Sequence, residues 1–255
     1  MVNLREVVPA RCLTLLRCNW KTGAYGRLFC PSGDKMSKSL SNIVLIQYQG
    51  MARLLHHLLY GNPKPELITE LKVNQVAETW PELAGRDGNR IGREALANYL
   101  QQWDETQFLD LQLDYGQLFF GPGEPKAVPY GSVYLGEEQV LNDRSTLALM
   151  DFYQAHDVSL QLPARDPVDH IGLFFSVLDA SFGRLAAEPD NQRLVRFTQV
   201  LLQQHLLPWA ERCLELAAEH AQTEFYFAVA LLARDFLLQL TEDFNLIPMP
   251  ARLFR

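Results

Sequence analysis

Long apolar runs are missing from this 255-residue chain. A membrane-spanning helix needs about 18 or more consecutive apolar residues, and the longest apolar windows here are interrupted by Gln, Arg, Asp or His. The first twenty residues carry scattered arginines and no uninterrupted apolar core, which does not match a secretory signal. These absences predict a cytoplasmic protein with no stable membrane insertion.

Cysteine is scarce, and the motifs of common enzymes are missing. The four cysteines are Cys12, Cys18, Cys30 and Cys213, and no two form a C-x-x-C pair. This spacing argues against a zinc or thioredoxin-like site and favours free thiols, so we predict no metal and no cofactor. There is also no G-x-S-x-G, Walker loop, G-x-G-x-x-G or H-E-x-x-H.

One enzyme-like motif lies in the first forty residues. Lys35-Met36-Ser37-Lys38-Ser39 spells the phosphate-handling loop of class I aminoacyl-tRNA synthetases. Those enzymes also need an upstream His-Ile-Gly-His on a nucleotide-binding α/β domain. Here a His-Ile-Gly occurs only downstream, at His170–Gly172, and no βαβ pattern surrounds it. A synthetase fragment is therefore a weak alternative.

Charge is unevenly distributed along the chain. The formal net charge is −7, which argues against a nucleic-acid binder held by phosphate attraction. Residues 1–40 contain seven Lys/Arg and two acids, a net charge of +5, whereas residues 41–255 have a net charge of −12. We predict a basic N-terminal extension over residues 1–40 and a separate acidic domain over 41–255 that attracts basic partners.

The pattern from residue 41 onward is helical. Apolar residues recur at three- and four-residue steps in successive windows. The exception is the Gly121–Leu135 stretch, a long Pro/Gly-rich loop in which only Ser132–Leu135 could form a short strand. The sequence predicts an all-α domain of about nine or ten helices.

The sharpest local motif is Asp166-Pro167-Val168-Asp169-His170-Ile171-Gly172. We interpret Asp166 as a helix N-cap, Pro167 as the first helical residue and Asp169 as an acid near the positive end of the helix dipole. We expect His170 to hydrogen-bond back to Asp166, which would favour its protonated form. A hydrolase that uses Asp169 and His170 is an alternative of a different class.

Aromatic residues concentrate before and within the long loop. Tyr115-Gly116-Gln117-Leu118-Phe119-Phe120 ends a predicted helix, and Pro129-Tyr130-Gly131-Ser132-Val133-Tyr134 follows in the loop. Most apolar residues at helical spacing belong to a core. The loop tyrosines Tyr130 and Tyr134 instead favour an aromatic groove for a peptide.

These motifs resemble the TorD/DmsD family of chaperones for molybdenum-containing anaerobic reductases, and they are closest to the DmsD branch. That family carries Glu-Pro-x-Asp-His, for which this chain has Asp166 in place of Glu. The resemblance covers about residues 45–255 and includes the segments Met51–Leu55, Leu118–Pro122, Pro129–Leu135, Ser145–Leu149, His205–Trp209, Phe225–Tyr226 and Leu253–Arg255.

The resemblance implies a non-enzymatic cytoplasmic chaperone with two subregions joined by a hinge near residues 157–167. It implies binding to the twin-arginine signal peptide of a reductase catalytic subunit, of the DMSO/TMAO reductase type, which delays export until the cofactor is inserted. A related chaperone for another client, such as a nitrate reductase or a non-exported enzyme, is the alternative. Some family members bind guanine nucleotides and some form domain-swapped dimers, so the oligomeric state stays open between a monomer and such a dimer.

The predicted signal-peptide site combines two patches. The carboxylates of Asp166 and Asp169 suit the two guanidinium groups, since charge-assisted hydrogen bonds form between them, with Pro167 beside them and His170 setting their geometry. An aromatic groove takes the apolar segment of the peptide. The predicted groove residues are Tyr115, Leu118, Phe119, Pro129 and Tyr130. We expect the two patches to adjoin in the fold.

Overall fold

The computed structural model describes residues 19–20, 40–162 and 166–255. Most of the predicted basic extension, including the Lys35–Ser39 motif, therefore lies outside the described residues. Strand β1 (Asn19–Trp20) pairs antiparallel with β2 (Val158–Ser159), with Asn19 opposite Ser159. The division of the chain at residue 40 and the hinge near 157–167 stay predictions.

Helices dominate the described residues, which confirms the all-α prediction. A short π-helical segment at Gly116–Phe120 continues α5, and another at Leu201–Leu206 joins α9 to α10. The described residues therefore contain ten separate helices. A 3₁₀ turn at Glu105–Gln107 precedes α5. The α-helices are α1 (Asn42–Tyr60), α2 (Pro65–Val73), α3 (Val76–Thr79), α4 (Asp87–Gln102), α5 (Phe108–Tyr115), α6 (Gly131–Leu135), α7 (Arg144–Ala155), α8 (Ile171–Ala187), α9 (Gln192–Val200), α10 (Leu207–His220) and α11 (Glu224–Asp243).

The helix ends follow from local sequence in several places. The Ser41 side chain accepts a hydrogen bond from the backbone N–H of Val44 and caps α1. Helix α1 ends at Tyr60, immediately before Gly61-Asn62-Pro63, whose residue types are a stop signal for a helix. The π-helical segment of the α9–α10 rod precedes Pro208, which has no N–H to donate and crowds the preceding turn. Helix α9, this segment and α10 are therefore one continuous helix.

One short segment corrects the sequence prediction. Ser132–Leu135, predicted as loop or as a short strand, belongs to helix α6. Its first turn is fixed from outside, because the Asp169 carboxylate accepts a hydrogen bond from the backbone N–H of Ser132 at 2.7 Å. Gly131 also permits this position, since a Cβ there would lie 2.7 Å from the Trp209 ring. The long loop is thus shorter than predicted and ends at Tyr130.

The core forms where α1 packs along α8 and where α4 and α10 pack against α11. Its largest fully buried side chains include Trp80, Trp209 and Phe236. No helix in the described part of the chain combines the length and hydrophobicity needed to cross a membrane.

Helices α1 and α8 pack closely where α1 ends and α8 begins. A Cβ on Gly172 would lie 2.8 Å from the Cβ of Tyr60 and 2.9 Å from its backbone nitrogen, so only glycine fits there. Further along the two helices, Arg53 donates two hydrogen bonds to the Asp179 carboxylate, at 2.9 and 3.0 Å. The last residue of α1 is thereby held beside the start of α8.

Candidate functional site

Helix α8 begins later than the sequence predicted. Its first residue is Ile171 and its N-cap is His170, whose Nδ1 accepts a hydrogen bond from the backbone N–H of Gly172 at 3.0 Å. The predicted N-cap role of Asp166 and the first-helical-residue role of Pro167 are therefore wrong. The reason is tertiary: the backbone of Asp169 and Ile171 is already paired with another loop, so the helix starts only after His170.

That pairing joins the two motifs that the sequence singled out. The Gly131 N–H donates to the Asp169 carbonyl at 3.1 Å, and the Ile171 N–H donates to the Pro129 carbonyl at 2.8 Å. Tyr130 and His170 thus face each other across an antiparallel bridge. The loop that carries Tyr130 and the loop that precedes α8 form one backbone unit.

Asp169 is a buried residue of this unit. It is 3% exposed, and its Oδ2 accepts the hydrogen bond from Ser132 that caps α6. Its Oδ1 is also buried and has no hydrogen-bond partner among the described residues. Asp169 is therefore placed to hold the loop, with one acceptor left over, rather than to present a carboxylate at the surface.

His170 is buried and contacts two tyrosines. The Tyr60 and Tyr130 rings contact it edge-on, with ring centroids 5.1 and 4.9 Å away. Burial, together with the nearby His56, lowers the pKa of His170 to about 3. The imidazole is thus neutral at pH 7, and because Nδ1 accepts from Gly172, its proton lies on Nε2. The expected protonated His170 paired with Asp166 is wrong, since burial outweighs the acidic neighbour and Asp166 is bonded elsewhere.

Asp166 is the exposed carboxylate of the site. The Tyr60 hydroxyl donates a hydrogen bond to its Oδ2 at 3.2 Å. The pKa of the Tyr130 hydroxyl is raised by burial and then by the Asp166 and Asp169 carboxylates. Burial also raises the pKa of Tyr115, with smaller contributions from Tyr130 and Tyr60. The Tyr60 and Tyr130 hydroxyls therefore lie near one exposed carboxylate.

The predicted apolar groove is closed in this structure. Leu118 is fully buried, and Phe119 and Tyr115 are 5% exposed, because these rings pack against each other and against Tyr226. Pro129 is also buried. Their contact with a signal peptide stays a prediction that requires this core to open. Tyr130 and Pro167 are half-buried and lie with Asp166 at the accessible part of the site.

Sequence reasoning missed two contributors to this region. His56 and Tyr60 come from the end of α1, and the His56 Nδ1 donates to the Gly172 carbonyl at 2.8 Å. The stop signal after Tyr60 marked the helix end but gave no indication of what it would contact. The second is a groove beside α7. Two exposed apolar residues, Leu147 and Met150, lie three positions apart on that helix and line the groove. Within the described residues, no group of three or more His, Cys, Asp or Glu is arranged to hold a metal ion.

Comparison with known proteins matches this chain to chaperones. Residues 87–215 match the family model described as nitrate reductase delta subunit. The probable Tat proofreading chaperone DmsD of Haemophilus influenzae is 36% identical over 141 residues, which cover 55% of this chain and 65% of that protein. The Tat proofreading chaperone DmsD of Salmonella typhimurium is 32% identical over 193 residues, which cover 74% and 86%.

A third relative represents the other branch of the resemblance. The chaperone protein TorD of Aliivibrio salmonicida is 27% identical over 143 residues, which cover 55% of this chain and 66% of that protein. All three relatives are named as chaperones, which confirms the prediction of a chaperone rather than an enzyme. The chain belongs to the family of the TorD and DmsD chaperones and the nitrate reductase delta subunit.

Proposed function

We propose that this chain is a cytoplasmic chaperone that binds the twin-arginine signal peptide of a molybdenum reductase catalytic subunit. Binding delays export until the molybdenum cofactor has been inserted. The proposal is supported by the family and by relatives whose name is Tat proofreading chaperone, where Tat denotes twin-arginine translocation. The preferred client is a reductase of the DMSO/TMAO type.

One observation carries the proposal: an exposed carboxylate, Asp166, is held by a tyrosine hydroxyl beside a second tyrosine. A guanidinium group pairs with a carboxylate through charge-assisted hydrogen bonds and also stacks on aromatic rings. Tyr60 and Tyr130, whose rings both contact His170, provide such rings. The net charge of −12 over residues 41–255 speeds the encounter with a basic peptide.

The buried residues take a different role from the one the sequence indicated. Asp166 contacts the arginine, whereas Asp169 and His170 position the loop that presents it. Asp169 does so by capping α6, and His170 does so by capping α8 and by contacting both tyrosine rings. In this division of roles, a change at Asp169 lowers affinity through the loop.

Calorimetric titration with a synthetic twin-arginine signal peptide tests the proposal. We expect saturable binding that weakens when the two arginines are replaced by lysines. Asp166→Asn should weaken binding about fivefold, which is the effect of one largely exposed charge pair. Asp190→Asn is the matched control, because Asp190 is an exposed acid beyond the far end of α8, about 25 Å along a 17-residue helix. An equal loss of peptide affinity in both variants would show that the arginines are attracted by overall charge and not by Asp166.

A second client class is favoured by one finding, the family model described as nitrate reductase delta subunit. Titration with signal and N-terminal peptides of a nitrate reductase compares the two clients directly. Tighter binding of these peptides would assign the chain to that client. Guanine-nucleotide binding and a domain-swapped dimer stay predictions from the family resemblance.

A further inference from the structure

An open groove runs beside α7, and we call it the α7 groove. It encloses about 790 Å³, within the range of about 300–1,000 Å³ that is typical of ligand pockets. On its α7 wall, Leu147 is 56% exposed and Met150 is 49% exposed. The lining residues are Leu147, Met150, Asp151, Tyr153, Gln154, Ala155, Asp157, Val158, Ser159, Leu160 and Val168.

The groove combines apolar and acidic side chains. Leu147, Met150, Leu160 and Val168 supply aliphatic surface, and Asp151 and Asp157 are the charged residues of the described lining. None of the described lining residues is basic. Such a surface fits a peptide that is apolar along its length and positively charged at one end.

The α7 groove is continuous with the loop that carries Asp166. Val168 lines the groove and lies two residues after Asp166 in the same loop. The next residue, Asp169, is fixed to α6 through Ser132. A peptide that places a cation at Asp166 is therefore led directly to Val168 and into the groove.

One rim of the groove already pairs with an extended segment. Val158 and Ser159 line the groove and form β2, which pairs with β1. One edge of β2 is therefore occupied by this chain itself, and the pairing shows that a chain in extended conformation fits beside this rim. An extended peptide is thus a geometrically suitable occupant.

We propose that the α7 groove binds the apolar segment that follows the two arginines of the client signal peptide. This inference rests on the proposed function and replaces the closed groove around Leu118 and Phe119. The arginines lie at Asp166, and the apolar residues lie on Leu147, Met150 and Val168.

The test compares two peptides against matched variants of the full chain by calorimetric titration. One peptide has the arginine pair and an apolar segment; in the other, Ser, Gly and Gln replace the apolar residues. Met150→Glu places a charge in the groove. Leu109→Glu is the control, because Leu109 on α5 is 62% exposed and lies outside the groove. Asp166→Asn reports on the arginine site.

We expect Met150→Glu to weaken the apolar peptide about tenfold, as the loss of one buried apolar side chain predicts. The polar peptide should change less than about twofold, because it makes no apolar contact there. Leu109→Glu should leave both peptides unchanged, and Asp166→Asn should weaken both alike. Leu147→Ser, a milder change, should reproduce the selective loss if Met150→Glu does not fold.

Two results would overturn the inference and leave the proposed function standing. In the first, Asp166→Asn weakens the peptides but both groove variants bind like the wild type. In the second, the groove variants bind normally but residues 1–39 become more sensitive to protease, which would identify this chain's own N-terminal segment as the occupant. Failure of the wild-type protein to bind either peptide would overturn the proposed function as well.

Discussion

The Asp169→Ala substitution gives the clearest test of whether a residue positions the loop or binds the peptide directly. The Asp169→Ala substitution removes the carboxylate that accepts the Ser132 N–H bond at 2.7 Å inside the protein. A hydrogen bond to a charged group contributes about 1.5–3 kcal/mol. Asp169 also buries an unpartnered Oδ1, whose removal recovers part of this loss. We therefore expect the free energy of unfolding to fall by about 1.5–2 kcal/mol, in the lower half of that range.

The assay is thermal and urea unfolding of Asp169→Ala beside Asp166→Ala. For a domain of this size, about 2–4 °C of Tm is lost per kcal/mol, so Asp169→Ala should melt about 3–8 °C lower. Asp166→Ala changes an exposed side chain and should stay within about 0.5 kcal/mol of the wild type. If Asp169→Ala kept the wild-type Tm but lost peptide binding, the carboxylate would be a direct ligand and our division of roles would be refuted.

Three further predictions concern the contact of α1 with α8. Gly172→Ala should lower the free energy of unfolding by about 1–3 kcal/mol in urea titrations, because its Cβ would overlap Tyr60 at 2.8 Å, and an unchanged midpoint would contradict this packing. Because the pKa of His170 falls from 6.5 unfolded to about 3 folded, the unfolded state binds the extra proton and stability is lost as pH falls from about 6.5 toward 3. His170→Asn keeps a capping oxygen but removes the titrating imidazole. In urea titrations at several pH values, the free energy of unfolding should then depend less steeply on pH, by up to one proton. An unaltered pH dependence would show that His170 does not cause it. Arg53→Ala should cost about 1 kcal/mol, and a double-mutant cycle with Asp179→Ala should show that the two are coupled; additive losses would mean that the ion pair contributes nothing.

Helix content was predictable because apolar periodicity is a local signal. The α1 stop at Gly61–Pro63 is one case in which the residue types alone set the boundary. Helix α6 was missed because it has only five residues and its first turn depends on Asp169, 37 positions away. No property of Ser132 or its neighbours indicates that partner.

The site shows the same division between local and distant causes. The Asp166–His170 motif was recognisable, but Asp166 was predicted as the N-cap, whereas the cap is His170, next to the Ile171 N–H that donates to the Pro129 carbonyl. The tyrosines of the loop were predicted to form an aromatic groove for a peptide, yet Tyr134 is fully buried and Tyr130 is half-buried. Burial of a given aromatic residue depends on helix packing, which a single sequence does not reveal.

The candidate site is assembled from three distant parts of the chain, Tyr60, Tyr130 and His170. During translation, residues 60 and 130 leave the ribosome well before the Asp169–Ile171 backbone that fixes the loop. A nascent chain that stops before residue 169 lacks both the α8 cap and the bridge to Tyr130. Competence to hold a client therefore arises late in the chaperone's own synthesis, after most of its length has been made.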